Sequence, residues 1–325
     1  MSPRAPSTGP ENNRPGGHCP VCRGHDLSVV RAYRARSEML RGGSLAQCYG
    51  CGFHFCSPMP SQEALAAYNA HYFDEAHAGV AEAESARPFH RAINHLRFRH
   101  VARHLEAVQD GLRVLEVGPG LGDFAHHMTT FMPSTKYSVV ESDDSCRSAL
   151  AKLGYRHWSA LDQVPADEKF DLVVMSHVLE HMSDPVAELT RLRGFMAPGA
   201  ILFIEVPCRD CEHKPSDEPH LLFFDKETMA RLLSEVGLEP QEISWHGRSI
   251  RYLRRHKGFM DKVLRRIGAL AVRRGLLPIS ADLAAIPDPA DRAAVWAFRA
   301  DRTSDEPAWW LRTVARMPAR NGIDS

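Results

Sequence analysis

The chain has 325 residues, with 40 Lys and Arg against 40 Asp and Glu, a formal net charge of zero, and 44% hydrophobic and 25% charged residues. That is enough for a full apolar core and about two domains, and a soluble, cytoplasmic chain is expected. No apolar run nears the roughly 18 residues of a membrane span, and Met1-Ser2-Pro3-Arg4 leads into Pro, Gly and Asn, so no secretory signal is expected.

Residues 1–15 form a polar tail that is expected to be disordered. Residues 16–60 hold Cys19-Pro-Val-Cys22 and Cys48-Tyr-Gly-Cys51, four of the eight cysteines, and thiols used this way speak for metal rather than disulfides. Each knuckle sets two thiolates on one tight turn, and two turns complete a tetrahedron, so the segment reads as a zinc ribbon. Four protein ligands leave no position for water, so Zn2+ is expected to be structural and to stabilise a ribbon too small to fold unaided. His18 and Cys56 lie nearby without ligand spacing.

Residues 61–106 read as a helical connector, in which Tyr68, Tyr72 and Phe73 either face the active site or pack ribbon against core. A helix is expected over 88–108, with Pro88 at its first turn and Ile93, Leu96, Val101, Leu105 and Val108 on its apolar face. Arg91, Arg97, Arg99 and Arg103 alternate with His90, His95, His100 and His104 on faces read as solvated.

Residues 107–256 carry the sharpest motif. Val114-Leu-Glu-Val-Gly-Pro-Gly-Leu-Gly122 is an apolar run with a carboxylate, entering a turn where Gly118, Gly120 and Gly122 let backbone approach a ligand. A nicotinamide fold wants its third small residue at 123, where Asp123 stands. Glu116 would repel a pyrophosphate and suits a ligand bearing an ammonium. Glu141 ends the next apolar run, where a carboxylate can accept both ribose hydroxyls. The strand Phe170 to Ser176 then leads into His177-Val178-Leu179-Glu180-His181.

These motifs, in this order, resemble the core of the class I S-adenosylmethionine-dependent methyltransferases. The resemblance implies an α/β, doubly wound, Rossmann-like seven-stranded core with a small N-terminal zinc ribbon and a helical C-terminal extension. It further implies that Glu116, Gly118, Pro119, Gly120 and Gly122 contact the methionine part, that Glu141 binds the ribose, that Ala160, Leu161 or Asp162 flanks the adenine, and that His177 and Val178 border the sulfonium. A helix over the cofactor brings in Phe89 and His90. The ribbon resembles the zinc-binding segment joined to bacterial sugar methyltransferases of deoxysugar and surface-polysaccharide pathways.

The acceptor side is read from the strand Ala200 to Pro207, beyond whose end Glu205 to His220 should rim the pocket. His220 precedes Leu221-Leu-Phe-Phe-Asp225, and Lys226 to Val236 reads as a helix capped by Asp225. This stretch resembles His-x-x-x-Phe-Ser of the sugar and quinone methyltransferases, with Asp225 for Ser. Histidine titrates where a hydroxyl's proton must be removed, so His220 is a candidate general base or acceptor contact, with a structural histidine as the plain alternative. His181 is the second catalytic candidate, with the same alternative. Cys208, Cys211 and His213 are either reduced thiols beside a histidine or part of a metal site.

Glu239–Trp245 and Ser249–Leu253, separated at Gly247, read as a closing hairpin, and residues 257–325 as a basic helical extension. Its helix spans 257–274, with Met260, Val263, Leu264, Ile267, Leu270 and Ala271 on one apolar face. Residues 251–274 carry nine Lys or Arg against Asp261 alone, which suits a diphosphate, an anionic membrane surface or nucleic acid, or else a packed helix with a solvated basic face. Trp296, Trp309 and Trp310 belong to no motif. The chain is thus expected to methylate a hydroxyl, or a carbon, of a sugar, glycan or natural-product intermediate. The alternatives are an RNA methyltransferase gripping phosphates with ribbon and basic helix, or a non-catalytic cofactor-binding scaffold.

Overall fold

The first strands pair locally because short apolar runs alternate with turn residues. In the computed structural model, which describes residues 17–72, 87–105, 111–255 and 258–319, β1 (Leu27–Ala32), β2 (Ser44–Cys48) and β3 (His54–Ser57) form an antiparallel sheet. The helices α1 (Gln62–Asn69) and α2 (Arg87–Ala102) lead into the core. The expected tail 1–15, Phe73 and Val108 lie outside the described residues.

The core runs β4 (Arg113–Val117), α3 (Asp123–Phe131), β5 (Lys136–Val140), α4 (Asp144–Leu153), β6 (Arg156–Trp158), β7 (Phe170–Ser176), α5 (Pro185–Arg193) and β8 (Met196–Pro207). It continues through β9 (Leu222–Phe223), α6 (Lys226–Glu235), β10 (Glu239–Ser249), α7 (Ile250–Arg255), α8 (Phe259–Arg273), α9 (Ala281–Ala284), α10 (Pro289–Trp296), β11 (Thr303–Ser304) and β12 (Ala308–Arg316). The main sheet has the order β11-β10-β12-β8-β7-β4-β5-β6, with β4 to β8 parallel and the other three antiparallel. It is the expected doubly wound sheet of seven strands plus the two-residue β11. The middle strands are almost continuously apolar, as burial on both faces requires. From β4 the chain builds outward to β5 and β6, then returns to build β7 and β8, so a crevice opens at the carboxyl end of β4.

Three expectations are corrected. There is no hairpin at Gly247: β10 runs unbroken from Glu239 to Ser249, and Ile250–Arg255 is helical. The partner of β10 is β12, inserted between β8 and β10, so the C-terminal extension supplies a central strand as well as helices. Gly247 (φ 92°) serves close packing, since a Cβ there would stand 2.9 Å from the Trp310 ring. The third correction is the histidine face of α2: His95 and His100 are buried, and burial, with the charge of Arg312, pushes His100 down to about 3, so it is carried neutral. The helices expected over 226–236 and 257–274 form nearly as read, and Asp225 caps the first by accepting from Thr228 N at 3.0 Å.

Arg97 of α2, read from the sequence as solvated, also turns inward. Its guanidinium meets Glu205 of β8 at 2.5 Å, and Arg312 of β12 meets the other carboxylate oxygen at 2.6 Å. Glu205 is fully buried and Arg312 nearly so. Although burial alone would raise the Glu205 carboxyl, the two guanidiniums hold it well below the usual range. Glu205→Gln keeps the shape and removes the charge, leaving two guanidiniums without their counter-ion. Urea unfolding should show a loss of about 3–5 kcal/mol, whereas a change within experimental error would mean that packing alone joins α2, β8 and β12.

Candidate active site

The β4 turn is shaped by conformations only glycine adopts easily. Gly118 has φ 68°, and a Cβ there would stand 2.4 Å from Val178 Cγ2, so the turn closes against the segment after β7 only without a side chain. Beside it lies a cavity of about 540 Å³ lined by Gly118, Gly120, Glu141, Ala160, Leu161, His177 and Val178, which the sequence drew from four separate segments. The α1 side chains Leu65 and Asn69, together with Tyr72, form another wall. Glu116, Pro119, Gly122 and Asp162 do not line it. Glu116 is buried, accepts the Tyr137 hydroxyl at 2.9 Å, and is pushed up to about 7 by that burial. Gly122 instead caps α3 with φ 78°. Phe89 packs on Phe298 and Trp310 rather than on the cavity.

Glu141 is fixed by backbone. Its Oε2 accepts from Gly120 N and its Oε1 from Asp143 N, both at 2.9 Å, and each oxygen keeps a second lone pair for a ligand hydroxyl. His177 stands across the cavity with φ 57°, a strained conformation for a residue with a side chain. Burial opposes its charge, but Glu180 at 3.2 Å and Glu205 at 3.4 Å outweigh burial and raise its pKa.

Two histidines follow. His181 lines the cavity, its Nδ1 is 3.1 Å from the Pro219 carbonyl, and its Nε2 has no hydrogen-bond partner among the described residues. A carbonyl only accepts, so this contact puts the proton on Nδ1 and leaves Nε2 a bare acceptor; burial pushes the ring down to about 4, hence neutral. His220 sits behind it, ring centroids 5.0 Å apart, and does not line the cavity. Its Nδ1 is 2.7 Å from Asp210 Oδ2, and Lys214 reaches the same carboxylate at 2.7 Å. Despite burial, His220 and Lys214 hold Asp210 far below the usual carboxylate range. Nothing in the run Cys208-Arg-Asp210 marks Asp210 in advance. Cys208 and Cys211 are buried, and with His213 they do not converge as a ligand group among the described residues.

The N-terminal sheet reaches this rim. Cys19, Cys22, Cys48 and Cys51 bring their sulfurs within 4.8 Å of one another, with Cys19–Cys51 at 3.6 Å and Cys22–Cys48 at 3.5 Å. Four thiolates bound tetrahedrally at about 2.3 Å would stand about 3.8 Å apart, so the donor set fits zinc. Cys56 is buried away from the cluster. Strand β3 pairs with β9, Arg31 and Arg34 each meet the buried Asp217 at 2.5 Å, and Tyr33 donates to the His220 carbonyl at 2.7 Å. The module therefore holds the 217–220 segment from outside.

Residues 89–243 match a family model described as a methyltransferase domain. Over these residues the chain carries an S-adenosylmethionine-dependent methyltransferase domain. A ubiquinone biosynthesis O-methyltransferase of Dinoroseobacter shibae is 25% identical over 193 residues, 47% of this chain and 74% of the relative. One of Cereibacter sphaeroides is 29% identical over 136 residues, 36% of this chain, which spans only 53% of that relative's length. A solved Thermotoga maritima structure, titled a possible histamine N-methyltransferase, overlaps 76% of this chain and 99% of its own, with TM-score 0.47 and 16% identity. In this methyltransferase, Glu141→Ala should weaken S-adenosylmethionine binding about ten- to a hundredfold in calorimetry through lost hydrogen bonds to a charged acceptor. Gly118→Ala should do at least as much by driving Val178 into the cavity, and undiminished binding in both would refute a cofactor site here.

Proposed function

We propose that the methyltransferase acts on a hydroxyl oxygen, or a carbon, of a sugar-containing or anionic small molecule, with His220 as general base. The observation that carries this reading is the Asp210–His220 pair set one ring behind the cavity. When bound, S-adenosylmethionine supplies a methyl group activated by its sulfonium. Gly118 and Gly120 admit it, Glu141 takes its ribose hydroxyls, and Ala160 and Leu161 border its adenine. Asp210 fixes the tautomer of His220 and leaves Nε2 as its acceptor atom; because His220 stands behind the His181 ring, the acceptor's proton would reach it by a relay past neutral His181, whose ring lines the cavity. The relatives' names favour oxygen as the accepting atom and make a phenolic hydroxyl the alternative acceptor.

A second cavity of about 270 Å³ beside the 210–212 turn is lined by Arg209, Arg251, Arg254 and Arg255 together with Glu212 and Glu306, and Glu212 pairs with Arg209 and Arg254, so the support for an anionic acceptor rests on Arg251 and Arg255. The RNA reading loses ground on the ribbon, because Arg23 is paired with Asp184 and Arg31 and Arg34 with Asp217. The scaffold reading loses ground because the glycine turn, Glu141 and the paired histidine are all in place.

His220→Ala should lower kcat about a hundred- to ten-thousandfold with S-adenosylmethionine affinity intact, and Asp210→Asn should lower it less. Full turnover by His220→Ala in a methyl-transfer screen over sugar nucleotides and phenols would remove the base role. The cysteine cluster is proposed to hold one structural zinc ion. Metal analysis should find one zinc per chain, and a strong chelator should lower the melting temperature and then turnover, since the ribbon would release the 217–220 segment. A metal-free chain of unchanged stability would overturn the assignment.

A further inference from the structure

Six of the nine exposed large apolar side chains of the described residues fall in one short stretch: Met260, Leu264, Ile267, Leu270, Leu276 and Leu277, between 38% and 71% exposed. They include the row that sequence periodicity marks as the buried face of α8. The helix packs through another side. Gly268 is buried so tightly on α10 that a Cβ would stand 2.2 Å from the Trp296 ring, and Val272 is buried beside it. Arg265 is tied to Asp261 at 2.8 Å. At 3.6 residues per turn, the exposed apolar row lies on one side of this packed stripe, and the exposed Lys262, Arg266 and Arg273 lie along the far edge of that row. Arg274 follows at the helix end, and Leu276 and Leu277 continue the apolar surface past it.

Such a contiguous apolar surface is unusual on a soluble chain and marks an interaction site. We propose that α8 with Leu276 and Leu277 is an interfacial anchor that lies on an anionic lipid bilayer. The row from Met260 to Leu270 would enter the boundary between headgroups and acyl chains, while Lys262, Arg266, Arg273 and Arg274 meet lipid phosphates. The charge pattern favours this occupant over a second copy of the chain, because an antiparallel two-fold contact through this row would set one basic edge against another. Among the described residues no helix is long and apolar enough to cross a membrane, so the contact is with the surface.

The test is co-sedimentation of the full-length, zinc-loaded protein with phosphatidylcholine vesicles, with and without phosphatidylglycerol. Binding is expected to the mixed vesicles, weakening with added salt. Leu264→Glu with Ile267→Glu should lower vesicle affinity about a hundredfold, and each charge removed in Lys262→Gln or Arg266→Gln about fivefold. These side chains are exposed, and unchanged S-adenosylmethionine binding by calorimetry would show that the variants are folded. Three results would overturn the proposal: no binding of the wild type to anionic vesicles, undiminished binding of the double Glu variant, or a dimer in light scattering that this variant splits while vesicles are ignored.

Discussion

The charge cluster at Glu205 is the contact on which the rest of the active site depends. One carboxylate, buried at the carboxyl end of β8, joins Arg97 from the helix before the core, Arg312 from the last strand and His177 from the end of β7. These residues are far apart in the chain, and each charge would be prohibitively costly to bury alone. The cluster therefore forms only when α2, β8 and β12 are all in place. The His177 backbone N–H also bonds the Glu205 carbonyl at 2.8 Å, so the strained residue on the cavity wall is held from two sides.

A second constraint acts from outside the sheet. The 210–220 segment that carries Asp210 and His220 has little regular structure of its own, and Asp217, the β9 pairing and the Tyr33 hydroxyl fasten it to the N-terminal module. Asp217 is buried and held below the ordinary carboxylate range by Arg31 and Arg34 against the opposing effect of burial. The cysteine cluster and the histidine pair thus belong to one mechanical unit. A zinc ion held by the four cysteines, as proposed, would govern where the proposed base stands.

The C-terminal region divides its work. Its last strand completes the sheet between β8 and β10, while α8 touches the body only along a narrow stripe centred on Gly268. The fold needs the strand, and the apolar row of the helix contributes little to the core.

Much of this was legible in the sequence, because local chemistry encodes it. The glycine turn, Glu141, the segment after β7 and the two cysteine knuckles each declare a backbone shape or donor set within a few residues, and all but the buried Glu116 and three neighbours of the turn and adenine segment reach their cavity or cluster. Pairings across long separations were not legible. Asp210 looks like any loop aspartate until His220 lies beside it, Arg97 looks like a solvated arginine until Glu205 faces it, and β12 reads as an unplaced tryptophan-rich tail until β8 and β10 leave a gap for it. Periodicity gave α8 an apolar face but could not say which way that face turns. The sequence by itself determined the methyltransferase turn, the Glu141 carboxylate beside it and the thiol set, since each rests on neighbouring residues. Only the tertiary structure decided which charges are buried together, which histidine stands on the cavity wall, and which apolar face is left to solvent, because those depend on free energies of burial that exist only once distant segments meet.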